Sequence, residues 1–148
     1  MFIGVAVVLI LLVCGGAVPI IGILAAIAIP NFVMMQQKAK RAEVPGNVDG
    51  IRTAEMAYDA AFDAYVEVPA WPRPVTSLGK TAVEWQENKA WQDLGWRPDG
   101  QVRGTYWVEV SGGDFEVHGL CDVDGDGRPA EYIATKDRPA TIQDSNEY

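Results

Sequence analysis

The first 37 residues constrain the fold of this chain most, because none of them is charged. A helix that crosses a membrane needs about 20 predominantly apolar residues, and this run is longer than that. As one helix it would extend roughly 50 Å, further than the hydrocarbon core of a bilayer. We therefore expect residues 1–36 to form a hydrophobic transmembrane helix, with weak points at Gly15, Gly16, Pro19 and Pro30.

Two other fates of the apolar run fit its residues less well. A secretory signal peptide begins with a basic segment, and no basic residue precedes this run. Cleavage after Ala28 would also follow an apolar run that is too long for a signal peptide. Cys14 lies in a sequence similar to a lipidation site, but Val13 directly before it fits such a site poorly. We expect a retained single-pass anchor surrounded by membrane lipid.

The net charge of −8 falls entirely on the residues after position 37. A strongly acidic head disfavours nucleic acid and anionic membrane surfaces as partners. The first charges after the apolar run are nevertheless basic, at Lys38, Lys40 and Arg41. Taken alone, the rule that cytoplasmic flanks are rich in Lys and Arg would leave the head in the cytoplasm.

Residues 37–148 begin with an alanine-rich segment that favours helix up to about residue 65. We expect Pro45 and Gly46 to interrupt this helix. Tyr58, Phe62 and Tyr65 recur at helical spacing, which is typical of a helix face that packs on a sheet.

The rest of the head predicts a small sheet. Residues 66–100 are punctuated by Pro and Gly and indicate a loop region with a short helix between residues 83 and 94. Residues 103–136 alternate in polarity and predict three antiparallel strands, followed by a polar tail. The predicted fold is α+β: a long N-terminal helix packed on a small antiparallel β-sheet.

One loop has the composition of a metal site. Asp122, Asp124 and Asp126 alternate, and Gly127 allows the turn that brings the backbone carbonyl of Arg128 toward them. Hard oxygen ligands suit Ca²⁺, although Ile133 stands where a full EF-hand loop has a bidentate Glu. The alternative is a strand-connecting turn that is rich in Asp and Gly for conformational reasons alone.

No pattern of catalytic residues accompanies this loop. His118 is the single histidine, and neither a nucleophile motif nor a Gly-rich phosphate loop is present. We expect a protein that is not an enzyme.

Residues 20–32, IIGILAAIAIPNF, resemble the second half of the N-terminal helix of type IV pilins and pseudopilins. Residues 51–58 resemble the continuation of that helix, and residues 122–127 an acidic turn found in some members. The resemblance implies a fimbrial or pseudopilus subunit in the bacterial inner membrane, with a periplasmic or extracellular head at the cell surface. It implies self-association, or association with other pilin-like subunits, through Gly22, Ala25, Ala26, Pro30 and Phe32.

The N-terminal part departs from that family pattern. Members carry a short basic leader, then Gly and Phe, and a Glu that aids assembly. Alignment on Gly22 and Pro30 places Val13 at the position of the Glu and Leu9 at the processed terminus. The alternative function is a monomeric, membrane-tethered binding module with an acidic loop stabilised by Ca²⁺.

Overall fold

The computed structural model describes residues 2–143, with side chains described from residue 19 onward. The chain divides into two compact units, Met1–Gln36 and Gln37–Tyr148. The first helix, α1, spans Phe2–Arg41 and is continuous through Pro19 and Pro30. The expected weak points therefore do not break the helix, because a proline removes only one backbone hydrogen bond from a ladder that continues on both sides.

From residue 19 onward, where side chains are described, most of the apolar side chains of α1 are exposed. Ile21 and Ile29 are 63% and 62% exposed, and Phe32 is 61% exposed. This is the one helix in the described part of the chain that is long and apolar enough to cross a membrane.

The second helix, α2, spans Glu43–Phe62 and follows a turn at Ala42. The interruption thus lies before Pro45 and not at it. Pro45 falls in the first turn of α2, where its missing N–H has no helical acceptor to lose. The helix ends at Phe62, and Asp63 after it adopts a left-handed conformation with φ 52°.

Five antiparallel strands form the sheet, in the order β1-β2-β3-β4-β5. Their bounds are Val68–Trp71 for β1, Thr105–Ser111 for β2, Asp114–Cys121 for β3, Ala130–Thr135 for β4 and Arg138–Ile142 for β5. The three expected strands correspond to β2, β3 and β4. The α+β architecture predicted from the sequence is confirmed.

Both edge strands lie where the sequence predicted irregular structure. β1 lies in the expected loop region, together with a short helix, α3, at Lys89–Leu94. β5 replaces the beginning of the expected polar tail. Edge strands are held by backbone hydrogen bonds to one neighbour, so they need little apolar alternation and give a weak sequence signal.

The core lies between α2 and the sheet. Val44, Val48 and Ile51 are fully buried on the inner face of α2. Gly119 of β3 lets the helix approach closely, because a Cβ there would lie 2.4 Å from Val48 Cγ2. Phe62 was expected on this face, but it is 66% exposed; the buried face lies nearer the start of the helix.

Two polar side chains of α2 hold the β4–β5 hairpin. Arg52 donates from Nε to the carbonyl of Thr135 and from Nη2 to that of Lys136, both at 2.6 Å. Asp49 Oδ1 accepts a hydrogen bond from the N–H of Ala140 at 2.7 Å. These bonds connect the edge strand to the helix as well as to the sheet.

Candidate functional sites

The acidic loop between β3 and β4 brings the three predicted carboxylates together. Ligand atoms from Asp122, Asp124 and Asp126 lie within 4.8 Å of one another. Asp122 is buried, whereas Asp126 is exposed. The arrangement could hold a metal ion, and its donors are the hard oxygens that suit Ca²⁺.

Backbone N–H groups organise these carboxylates. Asp122 accepts from Gly125 at 2.6 Å and from Gly127 at 3.2 Å. Asp126 accepts from the N–H of Arg128 at 2.7 Å. Hydrogen bonds of this kind also stabilise a turn without any ion, so the loop geometry is compatible with both interpretations of the sequence.

Among the described residues, no further carboxylate joins the three of the loop. Glu131, at the tenth position, is turned to His118, with Oε1 at 3.1 Å from Nδ1, and Ile133 lies in β4. Cys121 precedes the loop and has no disulfide partner among the described residues; burial raises the pKa of its thiol to about 12. The side chains of Val13 and Cys14 lie outside the described ones.

The five predicted assembly residues lie along α1. Gly22, Ala26 and Pro30 are spaced by four and share one helix face. Nothing lies within 4 Å of the position that a Cβ would take at Gly22. Ala25 is half-buried, and the other four residues are exposed. Small residues on one face of an apolar helix permit close approach of another helix in lipid.

Comparison with known proteins shows a similarity to a pilin. The chain is 30% identical over 106 residues to the type IV major pilin protein PilA of Myxococcus xanthus (strain DK1622). The chain is type IV pilin-like. The alignment covers 72% of this chain and 38% of that pilin, so the chain spans less than half the length of its relative. No family model matches the chain, and no solved structure matches it significantly.

The sequence prediction missed a buried carboxylate in the head of this pilin-like chain. Glu55 is fully buried on α2. Its Oε2 accepts from the N–H of Val66 at 3.0 Å, and its Oε1 has no partner among residues 2–143. Burial raises the pKa of Glu55 to about 7, against a smaller lowering by the hydrogen bond from Val66. Its spacing of four from Ile51 could have placed it on the core face.

The prediction also missed a cavity of about 410 Å³ in the pilin-like head. Three tryptophans line it, Trp85, Trp91 and Trp96, with their ring centroids 5.2–5.6 Å apart. These tryptophans fall in residues 66–100, which the sequence predicted as a loop region. We refer to this space as the tryptophan cavity.

Proposed function

We propose that the pilin-like chain is a non-enzymatic structural subunit that assembles into a pilus or pseudopilus through its N-terminal helix. The observation that carries the proposal is an exposed apolar helix in a chain similar to a major pilin. Exposed apolar surface of this extent is typical of a site that contacts membrane or another protein. The same apolar surface can therefore contact lipid before assembly and neighbouring subunits after it.

Before assembly, residues 1–36 anchor the subunit in the inner membrane as a single pass. The exposed apolar side chains from residue 19 onward would face lipid, and the basic residues in the last turn of α1 would lie at the interface with water. In this proposal the head lies on the periplasmic or extracellular side. The similarity to a pilin supports that side, whereas the positive charge after the apolar run, taken alone, supports a head in the cytoplasm.

During assembly, the small residues of α1 bring neighbouring subunits close together. Gly22 and Ala26 leave room for a second helix backbone, and Pro30 frees a carbonyl one turn before it. Phe32 supplies apolar area at the end of this face. In the head, α2 continues with exposed Met56 and Phe62, which offer further apolar area to a neighbouring copy.

The proposal is tested by substituting Ala26→Leu and separating sheared surface fibres from membranes. A bulky side chain keeps a second helix away from this face but leaves the segment apolar. We expect the variant protein to remain in the membrane fraction and to disappear from the fibre fraction. Ile23→Leu, which conserves volume on the same helix, serves as the matched control and is expected in both fractions.

The fractionation of the wild-type chain is the first measurement. If it is found only in membranes and never in sheared fibres, the filament proposal is wrong. The mass of the native N-terminus adds a second measurement, because an intact Met1 means an unprocessed anchor, whereas a shortened, methylated residue means processing of the kind found in pilins.

The second candidate function is a monomeric, membrane-tethered binding module whose acidic loop holds Ca²⁺. The convergence of three carboxylates within 4.8 Å supports it. The carboxylates of Asp122, Asp124 and Asp126 and the backbone carbonyl of Arg128 would be the ligands. Because the described residues supply three carboxylates and Ile133 takes the place of the bidentate Glu, the affinity is expected in the weak range of extracellular modules, Kd about 10⁻⁴–10⁻³ M.

Calcium and chelator separate this candidate from a simple turn. Ca²⁺ at about 100 times its Kd would stabilise the folded chain by ~2.7 kcal/mol. Asp124→Ala should abolish that gain, because it removes one of the ligands. It should disturb the turn itself little, because within the described residues Asp124 accepts one long backbone hydrogen bond there, from the N–H of Asp126 at 3.3 Å. If Ca²⁺ and chelator leave the unfolding midpoint of the wild type unchanged, the loop is a conformational turn.

A further inference from the structure

The tryptophan cavity is open to its surroundings at two of its rings. Trp85 and Trp96 are half-buried, whereas Trp91 is buried. The rings of Trp85 and Trp96 have centroids 5.4 Å apart and planes at 85° to each other. The cavity volume of about 410 Å³ lies in the range of pockets that hold drug-sized ligands, roughly 300–1,000 Å³. A single aromatic side chain is smaller than such a ligand, so the cavity has room for one.

The fold holds this cavity open. Gly95 ends α3 in a left-handed conformation and so places Trp96 after the helix. Trp96 packs against α2 at Gly50, where a Cβ would lie only 2.8 Å from the indole nitrogen. A cavity with such supports is present before anything occupies it, so little binding free energy is lost to ordering it.

Phe62 is an exposed aromatic side chain at the end of α2. It is 66% exposed, and the centroid of its ring lies 4.5 Å from that of Tyr58. Contact with Tyr58 restricts the ring before any partner arrives, which lowers the entropy cost of docking it. Contacts between aromatic rings are favourable beyond the area that they bury, so the tryptophan rings are a suitable surface for Phe62.

Phe62 cannot occupy the cavity of its own chain. Gly50, which contacts the cavity wall at Trp96, lies twelve residues before Phe62 on α2. At 1.5 Å and about 100° for each residue, the two positions are roughly 18 Å apart along the helix and about 120° apart around it. Both belong to one compact unit, so the ring of one copy can enter only the cavity of another copy.

The charges beside the ring and the cavity are complementary. Asp63 directly follows Phe62, is exposed, and has no side-chain partner within residues 2–143. The last turn of α2 contains no basic residue, so this carboxylate adds to the partial negative charge of the helix end and favours a cation. Arg97 lines the cavity, is exposed and is likewise unpaired among those residues. The acid that lines the cavity, Glu87, already accepts a hydrogen bond from Gln92 at 3.2 Å.

We propose that Phe62 of one subunit inserts into the tryptophan cavity of a second copy, against Trp85 and Trp96, and that Asp63 pairs with Arg97 of that copy. Ring and cavity are different surfaces of the head, so each copy offers its ring to one neighbour and its cavity to another. A contact of this heterologous kind extends into a filament when it does not close into a ring of subunits. The inference rests on the proposed assembly of the chain and adds to it a contact between heads.

The test exchanges the two charges in the full chain and separates sheared fibres from membranes. Asp63→Arg alone and Arg97→Asp alone replace the ion pair by two like charges, and each should lower the fibre fraction roughly 2- to 10-fold. The chain that carries both substitutions restores the pair in the opposite sense and should recover the wild-type fraction. Phe62→Ala removes the inserted ring and should lower the fibre fraction about 10-fold or more.

Two matched controls lie outside α2 and the cavity lining. Val75→Ala truncates another exposed apolar side chain, and Arg138→Asp reverses another exposed base; both variants should form fibres as the wild type does. Because Phe62, Asp63 and Arg97 are exposed, their variants should keep the unfolding midpoint of the wild type. A lowered fibre fraction at an unchanged midpoint then reports the contact between copies and not folding.

The outcomes separate this contact from assembly itself. Wild-type fibres that Phe62→Ala leaves undiminished, or that the exchange of both charges does not restore, overturn the docking of Phe62. The assembly proposal then still stands if Ala26→Leu removes the fibres. If the wild type forms no fibres, both the assembly and the contact between heads are wrong.

Discussion

Glu55 gives the sharpest prediction, because the fold buries a carboxylate whose ionisation opposes folding. The pKa of Glu55 rises from its ordinary 4.5 to about 7 in the folded chain. The unfolded chain therefore loses this proton first, and stability falls as the pH rises from 4.5 through 7. At ~1.36 kcal/mol for each pKa unit, the complete loss is about 3 kcal/mol.

The substitution Glu55→Gln isolates this contribution. Glutamine keeps an acceptor for the N–H of Val66 but cannot ionise. About 2 kcal/mol of this loss in the free energy of unfolding falls between about pH 5.5 and about pH 8.5. Both pH values lie above the sequence pI of 4.5. The variant should therefore gain about 2 kcal/mol on the wild type as the pH is raised over this range.

The assay is urea unfolding of the full chain in detergent, followed by tryptophan fluorescence at the two pH values. Comparing the variant with the wild type cancels the pH dependence of all other groups. Glu67→Gln, the same substitution at an exposed glutamate just before β1, is the matched control. A Glu55→Gln difference that does not change with pH would refute the reasoning.

Three further predictions use the same unfolding assay. Gly119→Ala should destabilise the head by about 1–3 kcal/mol, because the new Cβ would overlap Val48 of α2. Gly46→Ala, where nothing lies within 4 Å of the new Cβ, should instead stabilise α2 by roughly 0.5–1 kcal/mol. Equal effects of the two variants on the free energy of unfolding would contradict the packing argument. Asn88→Ala removes the cap of α3 and should cost about 1 kcal/mol, and a silent variant would mean that α3 needs no cap. Asp122→Ala leaves two backbone N–H groups of the acidic loop without acceptors and should cost about 1–3 kcal/mol even with chelator present; a cost that appears only with Ca²⁺ would assign the residue to the ion alone.

The sequence predicted those features that depend on local pattern. The uncharged run predicted, from its length and composition, an apolar helix long enough to cross a membrane. Alternating polarity predicted β2, β3 and β4. The spacing of Asp122, Asp124 and Asp126 placed three carboxylates in one turn, although it did not decide between an ion and a turn.

The sequence did not predict features that depend on contacts between distant residues. Besides its backbone pairing with β4, β5 is held by Arg52 and Asp49 of α2, which contact its hairpin from more than 80 residues earlier in the chain. Glu55 is buried because α2 is rotated so that its valine face, and not Phe62, meets the sheet.

The sequence by itself therefore determined that this protein has an apolar helix, an acidic head and a meander of strands. Only the tertiary structure decided which groups in the head are buried without partners. Burial depends on the side chains that a fold brings together from distant positions, and the tryptophan cavity and the Glu55 carboxyl both arise in that way. Periodicity reports which face of an element is apolar, but not what lies against that face.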